Sequence, residues 1–280
     1  MKGLAWARHC VSLFCLWFMA MALLSAPAAR AQPVDLEIVL AMDGSGSISS
    51  DEFLLQVIGT AAALKDASVQ QAILSGPTGR VAIAAVIWSD AAFPKYPTEW
   101  HLLNSPQSID AFAQRLLNFN NPANASKRQG KGGGGTGIGD GIVYALEMIR
   151  SNRFNGARKV VDVSGDGVET DPWFKKAFTL PDARRLARAQ GVTINGLAIL
   201  TDNWKLHQYY RAEVISGPGA FVVKAVNFDA FAVAIRNKLL REMSPVITKR
   251  PERDRLRFAY SQDTRFERSP GGQPTTNFAR

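Results

Sequence analysis

The chain has 280 residues, a formal net charge of +9, 46% hydrophobic residues and two cysteines. That length and apolar content suffice for one substantial domain with its own core, which needs no disulfide staple. The positive charge does not mark a nucleic-acid binder, because acidic residues interrupt it and no array of alternating aromatic and basic residues accompanies it.

At the N-terminus, Lys2 and Arg8 precede an apolar run from Val11 to Leu24 and small residues around Ser25 to Ala31. This is the order of a secretory signal peptide. Residues 1–31 are expected to be a leader cleaved after Ala31, with Ala29 and Ala31 as the small pair; cleavage after Ala28, using Ala26 and Ala28, is the other reading. A retained anchor would have to span the membrane with Cys10 to Ala29, near the lower length limit, and the small-residue tail argues against it. Cys10 and Cys15 both fall in the leader, so the mature chain has no thiol for catalysis, metal binding or crosslinking. Lys2, Arg8 and Arg30 fall there too, which leaves +6 from Gln32 onward. The expected location is outside the cytoplasm, periplasmic or extracellular, with no transmembrane segment in the mature chain.

From residue 32 the apolar pattern alternates between strand and helix. Leu36 to Met42 reads as a buried strand, and Asp51 to Leu64 as a helix with Ser49 or Ser50 available as its cap. Val81 to Trp88 is a second apolar strand, bounded by Pro77-Thr-Gly79 and Ser89-Asp90, and Thr98 to Leu103 an extended segment suited to an antiparallel edge. Ser108 to Phe119 is helical in pattern, and Asn120 to Gly135 a polar, glycine-rich loop. Helix Gly137 to Arg150, strand Lys159 to Ser164, helix Pro181 to Gln190 and strand Thr193 to Leu200 continue the alternation. A short helix at His207 to Ile215, strand Ala220 to Val226 and helix Asp229 to Met243 complete it. Strands such as Ile38-Val-Leu-Ala41 lack polar-out alternation, so both faces of the sheet must be covered. The fold class is therefore α/β: a three-layer, doubly wound, mostly parallel sheet with helices on both faces. The domain is expected over residues 32–246. Residues 247–280 form a basic tail without apolar periodicity, expected to be disordered and able to touch an anionic envelope surface.

Ligands of such sheets gather at the C-terminal strand ends where the winding reverses. Three segments could reach that edge with oxygen ligands: Asp43, Ser45 and Ser47 after the first strand; Thr136 after the glycine run; and Asp166 in Ser164-Gly-Asp-Gly167. Two carboxylates and three hydroxyls make an oxygen shell poor in negative charge, which suits a hard divalent cation still able to accept an outside ligand. Magnesium fits best, and manganese or calcium fits the same shell.

Those five positions carry a resemblance to the von Willebrand factor type A (VWA) domain, over roughly residues 34 to 245. Its metal-ion-dependent adhesion site (MIDAS) has the form Asp-x-Ser-x-Ser, then a distant Thr and a distant Asp, as do Asp43, Ser45, Ser47, Thr136 and Asp166. The chain is most similar to bacterial, exported, single-domain members of undefined role. The resemblance implies that Ser45 and Ser47 ligate the metal directly, Thr136 directly or through water, and Asp43 and Asp166 through water. It also implies that a partner's carboxylate takes the remaining position, and that metal binding can be coupled to the C-terminal helix.

The function expected is a divalent-metal-dependent protein-binding module, for adhesion or scaffolding, that recognises an Asp or Glu of a protein partner. A structural or assembly domain that recruits no ligand through metal is the alternative, and a metal-dependent hydrolase a weaker one. Nucleotide hydrolysis is excluded because Lys131 precedes the glycines and no strand leads into them. No Gly-x-Ser-x-Gly elbow surrounds Ser45, and His101 and His207 belong to no triad or metal cluster. No residue is assigned a catalytic role. Lys127, Arg128 and Lys131 make the loop before Thr136 basic. Asp140 reads as a first-turn residue of its helix, Asp90 and Asp202 as rim or capping residues, and Asp162, inside an apolar strand, as in need of a partner.

Overall fold

A computed structural model describes residues 31–119, 134–170 and 178–244. All but the last residue of the expected leader, the expected tail and most of the Asn120–Gly135 loop lie outside them. The domain boundaries therefore remain expectations. Strand β1 (Gln32–Asp43) is followed by α1 (Ser50–Lys65), α2 (Ala67–Leu74), β2 (Val81–Trp88), the short β3 (Tyr96–Pro97) and β4 (His101–Leu103), and α3 (Pro106–Leu117). The second half runs α4 (Ile138–Ser151), β5 (Phe154–Gly165), α5 (Leu180–Ala189), β6 (Thr193–Ile199), α6 (Leu206–Tyr209), β7 (Val222–Ala225) and α7 (Phe231–Met243). A single π-helical turn, Tyr210–Val214, extends α6.

The sheet order is β3-β2-β1-β5-β6-β7; β1, β2, β5, β6 and β7 are parallel, and β3 and β4 both pair antiparallel with β2. The winding runs outward from β1 to β2, then returns to the other side of β1 with β5. The reversal, where a doubly wound sheet opens a crevice, thus lies between β1 and β5. Successive residues of β1 point to opposite faces. Leu36, Ile38, Leu40 and Met42 pack in the same core as Phe53, Phe112 and Phe231 of α1, α3 and α7, while Val39 and Ala41 share the other core with Ile142, Ala183 and Leu206 of α4, α5 and α6. Both halves of the strand's apolar run are therefore used, as the α/β reading requires.

The observed elements differ from the sequence pattern in several places. Helix α2 was not expected: Asp66 ends α1 and at once caps α2, its Oδ1 accepting from the backbone N–H groups of Ser68 and Val69, so no turn residue separates the helices. β5 begins at Phe154 because its polar start, Phe154-Asn-Gly156, pairs with Gln32, Pro33 and Val34 of β1. The short helix near His207 divides into α6 and the π turn.

Asp162 finds its partner in α7. Lys238 is fully buried, with its Nζ 2.6 Å from Asp162 Oδ1 and 2.7 Å from Glu242 Oε1. Asn195 of β6 donates to Glu242 Oε1 at 2.8 Å and accepts the Phe221 N–H. The cluster thus ties α7 to β5 through Lys238 and Asp162, and to β6 through Glu242 and Asn195. Burial, and next the charge of Asp162, push the Glu242 carboxyl up to about 8. Removing the ammonium would leave Asp162 and Glu242 facing each other in a dry interior with no counter-charge, which costs about 3–5 kcal/mol. Lys238→Ala is expected to lower stability by that amount in chemical denaturation; a loss under about 1 kcal/mol would contradict the role given to the cluster. Because Glu242 binds its proton more tightly folded than unfolded, its contribution is present below about 4.5 and is lost as pH rises through about 8. The fall in melting temperature between pH 6 and 9 should therefore be smaller in Glu242→Gln.

Candidate metal centre

Asp43 is the last residue of β1, and Asp166 follows the last residue of β5, so the sheet brings both to the crevice at the reversal. Both segments turn immediately after their strands. The Gly44 N–H donates to Trp88 O at 2.8 Å, which ends β1 against β2. Asp43 is fully buried, and its Oδ1 accepts the Ser45 N–H at 2.7 Å, folding the loop back over the strand end. Gln56 of α1 braces this turn: its Nε2 donates to Asp43 O at 3.3 Å and its Oε1 accepts from Ser164 Oγ at 3.4 Å.

The hydroxyls of Ser45 and Ser47 lie 3.3 Å apart, and Ser47 Oγ donates to Asp166 Oδ1 at 2.7 Å. Neighbouring ligands on an octahedral magnesium lie about 3 Å apart, so this separation suits two adjacent positions on one small ion. By giving its proton to Asp166, Ser47 leaves its lone pairs facing away from that carboxylate. Burial, followed by the nearby Asp166, pushes the Asp43 carboxyl up to about 7; Asp166 is also raised, chiefly by burial. Asp43 Oδ2 is buried and has no hydrogen-bond partner among the described residues. A cation beside these carboxylates would relieve their mutual repulsion. Among the described residues no three His, Cys, Asp or Glu side chains cluster, so the donors are mainly hydroxyls, which suits a hard ion better than zinc.

Thr136 stands on a separate loop, just before α4. Its side chain is buried, and its Oγ1 would lie 3.2 Å from a Cβ placed on Gly167, next to Asp166. Its backbone is clamped to the segment after β5: the Thr136 N–H donates to Thr170 Oγ1 and the Thr170 N–H to Thr136 O, both at 3.0 Å. Ser89, after β2, holds the same loop through Oγ to Gly135 O at 3.1 Å and by accepting the Gly137 N–H at 3.1 Å. A side chain on Gly46 would strike Gly134 O at 2.6 Å, so the Asp43–Ser47 turn and this loop meet backbone to backbone. Asp43, Ser45, Ser47 and Asp166 are thus linked in one hydrogen-bonded set, and Thr136 is brought beside it.

Several residues around the site carry no sequence signal of their own. Glu169 accepts the Gly139 N–H at 3.0 Å at the start of α4, and burial pushes its carboxyl up to about 7. Tyr209 Oη accepts the Glu169 N–H at 3.1 Å. Tyr210 is fully buried behind Asp43, and burial, then the charge of Asp43, hold its phenol well above the ordinary value, so it keeps its proton. Gln56, Glu169 and Tyr210 become neighbours of the site only through the fold. Of the other acids, Asp90 binds the Phe93 N–H and, at 3.4 Å, the Gly135 N–H, and Asp140 accepts the Phe178 N–H. Asp90 thus acts on the rim, and Asp140 lies in the first turn of α4, as their sequence positions suggest.

A family model described as a protein of unknown function, DUF1194, matches residues 33–247. No curated protein matches. Among solved structures, the pilus adhesin SpaC of Lactobacillus rhamnosus GG is similar at 15% identity and a TM-score of 0.50, over 76% of this chain and 30% of that one. Proximal thread matrix protein 1 of the mussel byssus is similar at 18% identity and a TM-score of 0.50, over 76% of this chain and 47% of that one. The vWF domain of the type V pili tip protein Mfa5 from Porphyromonas gingivalis aligns at 11% identity and a TM-score of 0.48, over 75% of this chain and 95% of that one. The chain spans less than half the length of the first two, and the likeness is one of fold.

A buried carboxylate with one oxygen unpartnered opposes folding unless a cation compensates it. Asp43→Asn keeps the shape and the Ser45 contact while removing the charge. In chelator at pH 8 this variant is expected to be about 1–2 kcal/mol more stable than wild type, read by denaturant unfolding. A clear loss of stability would contradict the uncompensated burial of Asp43.

Proposed function

We propose that this chain, which belongs to the DUF1194 family and has the von Willebrand factor type A fold, is a divalent-metal-dependent protein-binding module. The observation that carries the reading is the hydrogen-bonded set Asp43–Ser45–Ser47–Asp166 at the strand reversal, with an unpartnered carboxylate oxygen behind it. In this reading Ser45 and Ser47 hold the cation through their hydroxyls, and Thr136 completes the protein's share directly or through water. Asp43 and Asp166 act from behind, accepting hydrogen bonds from Ser45 N–H and Ser47 Oγ and fixing the direction in which the hydroxyls present their lone pairs. Such a cation supplies a Lewis-acidic position whose charge is only partly offset. An Asp or Glu of another protein is the ligand it favours, because hydroxyls leave more of the metal's charge available than carboxylates do. Magnesium is the metal expected, with manganese or calcium as substitutes.

SpaC is a pilus adhesin and the mussel protein a thread matrix protein, which agrees with adhesion or scaffolding outside the cell. Export through the leader at residues 1–31, placing residues 32–246 in the periplasm or outside, is part of the same proposal, as is contact of the basic tail at 247–280 with an anionic envelope surface. Among the described residues no helix is long and apolar enough to cross a membrane. A hydrolase would need a base free to take a proton from bound water; in this reading Asp43 and Asp166 are both committed to holding the cation, so binding is the better reading.

Titration with magnesium and manganese, followed by calorimetry, tests the first link: wild type is expected to bind one ion, and Asp43→Ala and Ser45→Ala to bind at least about tenfold more weakly. Equal binding by all three would sink the assignment. Capture of envelope proteins should be abolished by chelation and by Thr136→Ala; capture unaffected by either would leave a structural or assembly role.

A further inference from the structure

Behind the proposed centre, two buried polar atoms on different elements face the same point. A Cβ placed on Gly165, the last residue of β5, would lie 2.7 Å from Asp43 Oδ2 and 2.7 Å from Tyr210 Oη. Neither atom has a hydrogen-bond partner among the described residues, although both are buried. Only an absent side chain at 165 lets these oxygens converge.

A second glycine makes the same allowance. A Cβ on Gly196 of β6 would lie 2.8 Å from Tyr210 Cδ1, within the ring's own space. Glycines on two adjacent strands thus clear a path from Tyr210 to the end of β1. The tyrosine opens the π-helical turn Tyr210–Val214, and such turns often mark positions where a helix is locally widened for a functional residue. An aromatic needed only to fill this core would be served by phenylalanine, without the cost of a buried hydroxyl.

We propose that Tyr210 is a positioning residue of the metal centre, donating its hydroxyl proton toward Asp43 Oδ2 when a cation is bound. The proposal rests on the metal-binding reading above and extends it to a residue that the five-position motif does not contain. Asp43 would then be held from both sides, by the Ser45 N–H on Oδ1 and by the tyrosine on Oδ2, leaving its orientation toward the ion fixed. The neighbouring Tyr209 accepts the Glu169 N–H, so the same short helix braces the segment that clamps Thr136.

Tyr210→Phe keeps the ring and its packing and removes only the hydroxyl. In chelator, its melting temperature should equal or exceed that of wild type, because the lost hydroxyl had no partner. Manganese affinity, measured by calorimetry or electron paramagnetic resonance, should fall about tenfold or more. Wild type should show a near-ultraviolet tyrosine difference spectrum on adding manganese, and the variant should lack it. Equal manganese affinity and an unchanged difference spectrum in Tyr210→Phe would overturn the role of Tyr210 while leaving the metal site intact. Absence of manganese binding by wild type would overturn the metal reading, and this proposal with it.

Discussion

The structure depends on the burial of Asp43. A carboxylate at the end of the central strand, wholly shielded from water and with one oxygen unpartnered, is among the least favourable groups a core can hold. Its neighbours are arranged to keep it there: Gln56 on its carbonyl, the Ser45 N–H on one oxygen, and Gly165 making room on the other side. A fold selected for stability alone would place an asparagine or an apolar residue at this position. The cost becomes intelligible if the group's purpose is to meet positive charge from outside the chain, which is the basis of the proposed metal centre.

The rest of the architecture converts that local cost into a shaped site. The reversal between β1 and β5 sets Asp43 and Asp166 side by side, and Ser89 and Thr170 clamp the Thr136 loop from two different strand ends. Three residues before the end of the neighbouring strand β5, Asp162 is compensated internally by Lys238. The two buried aspartates of the central strands therefore have opposite solutions: one has its cation built into α7, and the other has none among the described residues. Because β5 carries Asp162 and leads directly into Asp166, α7 is anchored to the element that forms one wall of the centre. A shift of α7 along the sheet would have to break or carry this ion cluster, which gives the helix a discrete attachment instead of a merely apolar one.

Much of the fold was legible in the sequence because its strands are continuous apolar runs bounded by turn residues, Val81–Trp88 being the clearest. The reading failed where tertiary pairing overrode local pattern. Asn155 and Gly156 do not resemble a strand, yet they extend β5 because β1 offers a free edge there. Helix α2 carries no boundary signal in the sequence because Asp66 serves both as the end of one helix and the cap of the next, leaving no glycine or proline between them. The five site residues could be proposed from type and order alone, since Asp-x-Ser-x-Ser and the later Thr and Asp sit at expected strand and helix boundaries. Lys238 and Tyr210 could not. A lysine in a helix reads as a solvated residue, and a tyrosine in a short amphipathic segment reads as core; only the sheet order brings the one to Asp162 and the other behind Asp43. The lone aspartate within Val160-Val-Asp-Val163 was the single hint that a distant cation existed.

The proposed centre is a cation held by hydroxyls with the carboxylates behind them, and locating the ion tests this most directly. Manganese diffused into crystals of the protein and located by anomalous scattering should give one peak at the β1–β5 reversal. Ser45 and Ser47 Oγ should lie within bonding distance of the ion, and the Asp43 and Asp166 oxygens should approach it only through water. No peak at that reversal, or a peak bonded directly by both aspartates with the serine hydroxyls turned away, would contradict it.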